Sequence, residues 1–520
     1  MTVHWKSHLW RNAITNYLRV GVRMVTGLVM FRLLFENLST EEVGYWALLW
    51  SVFGYTILMD FGLGLAAQRE SAYRSTTGEW EHLSRLLSTT VWTFMGFGVL
   101  ILIFFAIIQP YFLEWIHISP ANRASFGIAY WYFFGALAVS FPLGIFPEML
   151  AGMQRLDLAN WTQIISSIVS TILVYVAVRL HWTLETIVLI SVLSVSVIPN
   201  VANYFMVRRL MPSLSLSPKL FHFGAVKSVL SFSLAAYVII FSNLIVTRTS
   251  QLIISVCLGV ISVTIFQAGY KVSEFFGLLT HQLQRALSPA AAHLRAKKDE
   301  AALQHLVVLS TRLTTLFSVP GYFLAAVYLD PVIQTLTGLK RVIDAKTGEM
   351  LYRAAEQVFT EAEYAAIYWV GQILLLNVVA YLITTSCSRR ILLMTGLENK
   401  LLKASVVNAV LNLALTLVLV FKYGVVGVTI GTLVPGVLIG CLWVLHMTLR
   451  AVNLSLGEWC RLVYAPILAP VALSLAVLTV LVGFWPVPAS GSFILPLMWR
   501  GLLVMLPVGI YAAFYRGKFF

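Results

Sequence analysis

Fourteen apolar runs, each close to the roughly 20 residues a helix needs to cross a bilayer, leave this chain few alternatives. They fall at about 14–35, 43–64, 86–109, 124–147, 159–180, 184–207, 226–247, 251–279, 303–329, 364–387, 401–421, 424–448, 463–484 and 493–515. Inside hydrocarbon a backbone satisfies its own polar groups only as a helix or a closed barrel, and runs this long are helical. Composition agrees. Hydrophobic residues make up 59% of the 520, and charged residues only 11%, against about 25% in a soluble domain. Mean hydropathy is +0.84. So few charges do not keep a soluble surface of this size wet. The first and eighth runs are the most polar, and without them the count drops to twelve or thirteen.

The net charge of +14 would suggest nucleic acid in a soluble protein. Here the basic residues collect in short loops on alternate sides of the runs, which is a topology signal. With the N terminus in the cytoplasm, that side holds Lys6 and Arg11, then Arg69, Arg74 and Arg85, then Arg155, then Arg208, Arg209, Lys219 and Lys227. The alternation continues through Arg389, Arg390, Lys400 and Lys403 to Arg516 and Lys518. It requires an even number of spans with both termini inside. The first run reads as a spanning helix, not a cleavable leader. The longest extramembrane segment, 330–363, is mixed in charge and is expected to form a short amphipathic helix outside.

Two pairs of segments repeat. AAQRESAYRSTTGEWEHLSRLLSTT follows the second run and AAAHLRAKKDEAALQHLVVLSTR the eighth; His82-Leu83 aligns with His305-Leu306. LAGMQRLDLANWTQIISSIVS pairs with LMTGLENKLLKASVVNAVLN, placing Gly152 on Gly396. The expected architecture is therefore all-α: a six-helix bundle over 1–218, a second over 219–450 carrying the 330–363 loop, and two added helices over 451–520. Six is even, so the two bundles are parallel repeats about an axis along the membrane normal.

Charges inside the bilayer cost about 2.5–3.5 kcal/mol or more and normally face a cavity or a partner. The first helix carries Asn12, Asn16, Arg19 and Arg23 on one face. This face reads as the cationic wall of a central cavity for an anionic ligand, or as snorkelling and structural pairing near the interface. Arg32 lies farther along. Asn243, Arg248 and Gln251 are expected at the outer ends of the seventh and eighth helices. Gln267, Lys271 and Glu274 share a face; Lys271 and Glu274 either neutralise one another or divide into a ligand contact and an ion-coupling group. Arg285 lies one stretch nearer the cytoplasm. Arg500 in the last helix is a further cavity or groove candidate. Asp60, before Phe61-Gly62, and Arg312 in the ninth helix are candidates for coupling or gating. Pro142, Pro147, Pro199, Pro320 and Pro435 suit kinks, and Gly424 and Gly427 suit a tight turn or close packing.

No Walker motif, HExxH or dinucleotide fingerprint occurs, so the sequence offers no catalytic residues, no metal site and no cofactor. The four cysteines lack metal-ligand spacing and read as small hydrophobes. Work done by such a chain draws on an ion gradient, the membrane potential or the substrate gradient.

VGYWALLWSVFGYTILMDFGLGLAAQRESAYRSTTGEWEHL (43–83) resembles the start of bacterial polysaccharide repeat-unit flippases. PEMLAGMQRLDLANW (147–161) and LLMTGLENKLLKASVVNAVLNLALTLVLVFKYGVVGVTIGTLV (392–434) resemble the beginnings of that family's fifth and eleventh helices. Its superfamily also holds multidrug and toxin extruders and the flippase for the peptidoglycan lipid precursor. The resemblance implies no enzyme but a monomeric transporter of the bacterial inner membrane. It would flip polyprenyl-pyrophosphate-linked oligosaccharide to the periplasmic leaflet by alternating access, for O-antigen, capsule or exopolysaccharide assembly, coupled to H+ or Na+. Membrane lipids and the polysaccharide polymerase machinery are the implied partners, with no nucleic acid. Arg19, Arg23, Arg248 and Lys271 are available to a pyrophosphate. A multidrug exporter would favour acidic and aromatic residues for cationic drugs, against the basic excess here. The peptidoglycan precursor shares the pyrophosphate chemistry.

Overall fold

The computed structural model describes residues 5–55, 63–64, 67–68, 70–72, 79–222, 234–283, 294, 299–344, 348–354, 357–394, 397–484 and 494–514. They form two compact units, 1–237 with 259–261, and 238–258 with 262–520.

The first unit is helical. Its helices are α1 (Trp5–Asn37), α2 (Thr40–Phe53), α3 (Trp80–Trp115), α4 (Arg123–Leu143), α5 (Ile145–Gly152) and α6 (Leu156–Arg179), then α7 (Leu184–Leu210), which contains one π-helical turn. Local chemistry sets the boundaries. Ser39 and Glu42 form a reciprocal capping box that starts α2. Gly144 separates α4 from α5, three residues after Phe141, whose carbonyl accepts its N–H. α1 packs along α6, α3 along α4, and α4 against α7. A Cβ at Gly98 would stand 2.8 Å from the Ala138 carbonyl oxygen, so α3 and α4 approach backbone to backbone only because that residue is glycine. The Tyr45 ring stacks on Phe126 at 4.4 Å while its hydroxyl donates to the Phe126 carbonyl at 2.8 Å.

The second unit holds α8 (Leu234–Leu258), whose first four residues belong to the first unit, and α9 (Val260–Leu283), α10 (Glu300–Val327) and α11 (Leu329–Thr337). After the sheet described below come α12 (Glu361–Thr384), α13 (Ser386–Met394), α14 (Glu398–Leu438), α15 (His446–Ala451), α16 (Leu456–Val463), α17 (Leu468–Phe484) and α18 (Ile494–Phe514). Two expectations change here. The break between the seventh and eighth helices was placed around 248–251, but α8 runs through it and stops at Gly259, whose φ is +86°. Arg248 and Gln251 therefore lie within a helix, not at its outer end. The polar stretch did not end the helix because its donors find partners: the Gln251 amide donates to Gln267 at 2.5 Å and the Thr247 hydroxyl to the Asn243 carbonyl at 2.9 Å.

The second change lies in 330–363. The short amphipathic helix is there as α11, closed by Gly338 in the left-handed conformation. It is followed by β1 (Lys340–Ile343), β2 (Met350–Ala354) and β3 (Gln357–Thr360), an antiparallel sheet in the order β1-β2-β3. Val342 pairs with Leu351, and Tyr352 with Phe359. Gln357 and Phe359 are buried while Val358 and Thr360 are exposed, the alternation a half-buried strand requires. Tyr352 stacks on Tyr364 of α12 at 3.6 Å, and Tyr364 donates to Asp330 of α11 at 2.5 Å, tying sheet and helix ends together.

Ten helices among the described residues are long and apolar enough to cross a membrane. α1 and α9, the two most polar runs, are outside that set. The longest of the ten, Asn399–Ala451, folds back on itself at Gly424, where φ is +58°. Asn412 donates to the Gly431 carbonyl at 3.2 Å across the fold, and a Cβ at Gly431 would stand 2.6 Å from the Thr416 hydroxyl oxygen and 2.8 Å from its Cα. The tight turn and close packing read from Gly424 and Gly427 are both present. Gly431→Ala is expected to destabilise the protein by about 2 kcal/mol through overpacking. Gly96→Ala, with nothing within 4 Å of the new methyl, should leave the melting temperature in detergent unchanged.

Candidate functional site

The polar face of α1 meets a matching face of α6. Arg11 pairs with Asp157 at 2.7 Å, and Arg155 reaches the other carboxylate oxygen at 3.3 Å. Asn12 accepts from the Asp157 N–H at 2.9 Å and donates to the Gln154 carbonyl at 3.1 Å. Asn160 donates to the Thr15 hydroxyl at 3.0 Å. Arg19 donates to Gln163 at 3.3 Å and to Asn16 at 2.9 Å. The positions fit because 157, 160 and 163 recur every three residues on α6, as 12, 15/16 and 19 do on α1. Toward the deeper end of the ladder, at Thr15, Asn160, Arg19 and Gln163, a polar group without a protein partner would stay unsatisfied in hydrocarbon, so these bonds fix the register of the two helices. The α6 half was not singled out from the sequence. Its signal is Asp157, Asn160 and Gln163 at i, i+3 spacing across the start of the fifth run.

Arg23 stands apart from this ladder. Between residues 14 and 29 the exposed positions of α1 are Ile14, Tyr17, Leu18, Gly21, Arg23, Val25 and Val29. All but Arg23 fall on one apolar arc that suits lipid. At about 100° per residue, Arg23 projects roughly 180° from the centre of that arc. It is exposed, its guanidinium has no hydrogen-bond or ion-pair partner among the described residues, and it sits near the middle of a 33-residue helix. Its guanidinium is turned from the lipid arc.

The other sequence candidates divide plainly. Arg32 pairs with Glu36 at 2.5 Å near the end of α1. Lys271 pairs with Glu274 at 2.7 Å on α9, with side chains only 14% and 26% exposed, and its ammonium lies 5.8 Å from the Phe275 ring centroid. Arg248 is half-buried within α8. Arg500 is buried and stacks over the Tyr328 ring at 5.2 Å. Arg312 donates from Nε and Nη2 to the Leu462 carbonyl, at 3.0 and 2.5 Å. Leu462 is four residues before Pro466, which has no N–H to offer that carbonyl, so Arg312 fills a gap the proline leaves in the helix. Asp60 and Arg285 lie outside the described residues. The structure thus brings Arg19 together with the α6 amides, and Lys271 with Glu274.

The chain is a multi-pass membrane protein with the fold of the MOP superfamily of exporters. Its structure is similar to that of "Lipid II flippase MurJ, inward closed conformation", with a TM-score of 0.69 and 15% identity, covering 98% of this chain and 99% of that one. An inward-facing multidrug resistance MATE family transporter of the MOP superfamily matches with a TM-score of 0.65 and 13% identity over 83% of this chain and 95% of that one. The Vibrio cholerae MATE transporter VcmN in the bent form matches with a TM-score of 0.55 and 12% identity, over 86% and 98%. Residues 9–295, more than half of the chain, match the family described as polysaccharide biosynthesis protein. The chain belongs to that family. Among curated protein sequences none matches it significantly.

If the ladder holds α1 on α6, Asp157→Ala strands Arg11 and Arg155 and should lower stability by about 1–3 kcal/mol, discounted for the half-exposed Arg11. Arg23→Gln should leave stability unchanged. Thermal unfolding of both variants in the same detergent checks the contrast.

Proposed function

We propose that the protein flips polyprenyl-pyrophosphate-linked oligosaccharide repeat units from the cytoplasmic to the periplasmic leaflet of the bacterial inner membrane, by alternating access. Membership of the polysaccharide biosynthesis family, matched over residues 9–295, carries this reading. The likeness in fold to a lipid II flippase over 98% of the chain supports it. So does the chemistry of α1. A pyrophosphate has to leave water and meet fixed cations on its way, and Arg23 presents a guanidinium away from the lipid arc. Arg19, Arg248 and Lys271 add positive charge elsewhere, and Arg32, Arg285 and Arg500 complete the set of candidates. Asp60, Glu274 and Arg312 are the candidates for gating or for coupling to H+ or Na+.

The proposed architecture has fourteen spans. Ten apolar helices, the extra pass made at Gly424, α1, α9 and the run that begins in α2 account for them. Two six-span halves, 1–218 and 219–450, are followed by two spans in 451–520, with both termini cytoplasmic. The protein acts as a monomer beside the polymerase machinery. The second reading, flipping of the peptidoglycan lipid precursor, is favoured by the lipid II flippase fold match.

Reconstituted vesicles with a leaflet-accessibility readout test the function. Lipid-linked oligosaccharide should change leaflet while cationic drugs do not move; drug movement without sugar movement would make the protein a multidrug exporter. In the same assay Arg23→Gln should lower flipping about tenfold, the loss of one charge-assisted contact. Unchanged flipping would remove Arg23 from the substrate path. Topology has its own check. Met350→Cys, in a background where the exposed Cys460 is replaced, should react with a membrane-impermeant label from the periplasm. Labelling only from the cytoplasm would invert the chain.

A further inference from the structure

A groove of about 680 Å³ lies between the end of α3 and the start of α4, and none of the candidate site residues above lines it. Pro110, Leu113, Ile128 and Trp131 form an apolar wall, and Gln109 and Arg123 supply its polar groups. Its volume lies within the usual range for a ligand site, roughly 300–1,000 Å³. Three features say what fits it.

The groove opens where lipid lies. α3 is the most apolar of the ten spanning helices and only 17% of its spanning window is buried, with Val99, Leu100, Ile103, Phe104 and Ile107 exposed. Its depth is that of the headgroups. Tyr111, Trp115 and Trp131 are exposed around it, and such aromatic rings gather at the membrane–water interface. Its charge is free. Arg123 is exposed and its guanidinium has no partner among the described residues; of the carboxylates at this end of the unit Glu41 and Glu185 are committed, and Glu114 is exposed to solvent beside Leu113. Glu41 accepts from the Ser119 N–H and hydroxyl at 2.6 and 2.7 Å and from Asn122, and Glu185 accepts from Ser125. Gly127 leaves room, since a Cβ there would come no nearer than 3.7 Å to the Gln109 amide and 3.9 Å to a Leu113 methyl.

We propose that this groove holds one anionic phospholipid, its phosphate on Arg123 and Gln109 and an acyl chain along Pro110, Leu113, Ile128 and Trp131. A cation at headgroup depth attracts an anionic lipid, and the apolar wall below it extends the contact along the chain. The groove is separate from the cations proposed for the substrate, so failure of the flipping assay leaves this site standing, and the reverse.

Native mass spectrometry of the purified full-length protein, titrated with phosphatidylglycerol or phosphatidylcholine, tests it. One phosphatidylglycerol per protein should be retained about fivefold more strongly than phosphatidylcholine, the effect of one basic group at the membrane surface. Arg123→Gln should remove that preference. Gly127→Leu, which fills the groove from a position with free space, should release both lipids. Both variants should melt at the wild-type temperature. Equal retention of the two lipids by the wild-type protein, or retention of phosphatidylglycerol by both variants, would overturn the proposal. Decaprenyl phosphate as a competitor should leave the bound phosphatidylglycerol in place; its displacement through the same two positions would assign the groove to a polyprenyl lipid instead.

Discussion

Hydrocarbon offers no hydrogen bonds, and most of this structure follows from that. A polar side chain on a spanning helix needs a protein partner or an aqueous opening. Thr15 with Asn160 and Arg19 with Gln163 meet this need along two helices at once, and Arg11 and Asn12 continue the ladder to Asp157 toward the N-terminal ends of both helices. The same requirement explains smaller features. Arg312 takes up the Leu462 carbonyl that Pro466 cannot serve. Asn412 crosses the fold at Gly424 to a backbone carbonyl. Buried Gln251 donates to buried Gln267 between α8 and α9. Each contact also fixes a register that apolar packing alone leaves loose, because lipid tails compete equally well for leucine and valine.

Much of the helical layout was legible in the sequence, because run length and loop charge report directly on a solvent slab of fixed thickness. Gly424 was legible as a turn for a backbone reason: it takes a positive φ that other residues avoid. The break at Gly259 was not. Thr247 to Gln251 look like a loop when polarity is taken as the sign of water, yet the helix continues, since hydroxyls bond carbonyls one turn back and Gln251 finds Gln267. The sheet in 340–360 was missed for a related reason. Its strands are four or five residues long, too short for their alternation to stand out from a mixed-charge loop.

The candidate cations show how far sequence spacing reaches. Lys271 with Glu274 and Arg32 with Glu36 are neighbours on one helix turn, so their pairing could be read from the chain, and it is present. Asp157 for Arg11, Gln163 for Arg19 and Leu462 for Arg312 lie 146, 144 and 150 positions away. One helix face shows that such residues share an environment; only the packed neighbour shows whether that environment is a partner or an opening. Asn12, Asn16, Arg19 and Arg23 share a stripe, yet the first three are drawn into the ladder and Arg23 is left beyond it.

This division bears on transport. A cation engaged by Gln163 and Asn16 is held in place, and moving it would break bonds that keep α1 on α6. Such a residue shapes the local potential without following a substrate. Arg23 has no such tie and can reach a passing anion without dismantling the helix pair. Holding a guanidinium in that position costs about 2.5–3.5 kcal/mol or more if the side is dry. Neither the ladder nor the lipid arc repays that cost. An anionic head that must shed its water to cross the membrane does, because the same desolvation that penalises each charge alone strengthens their attraction once they meet.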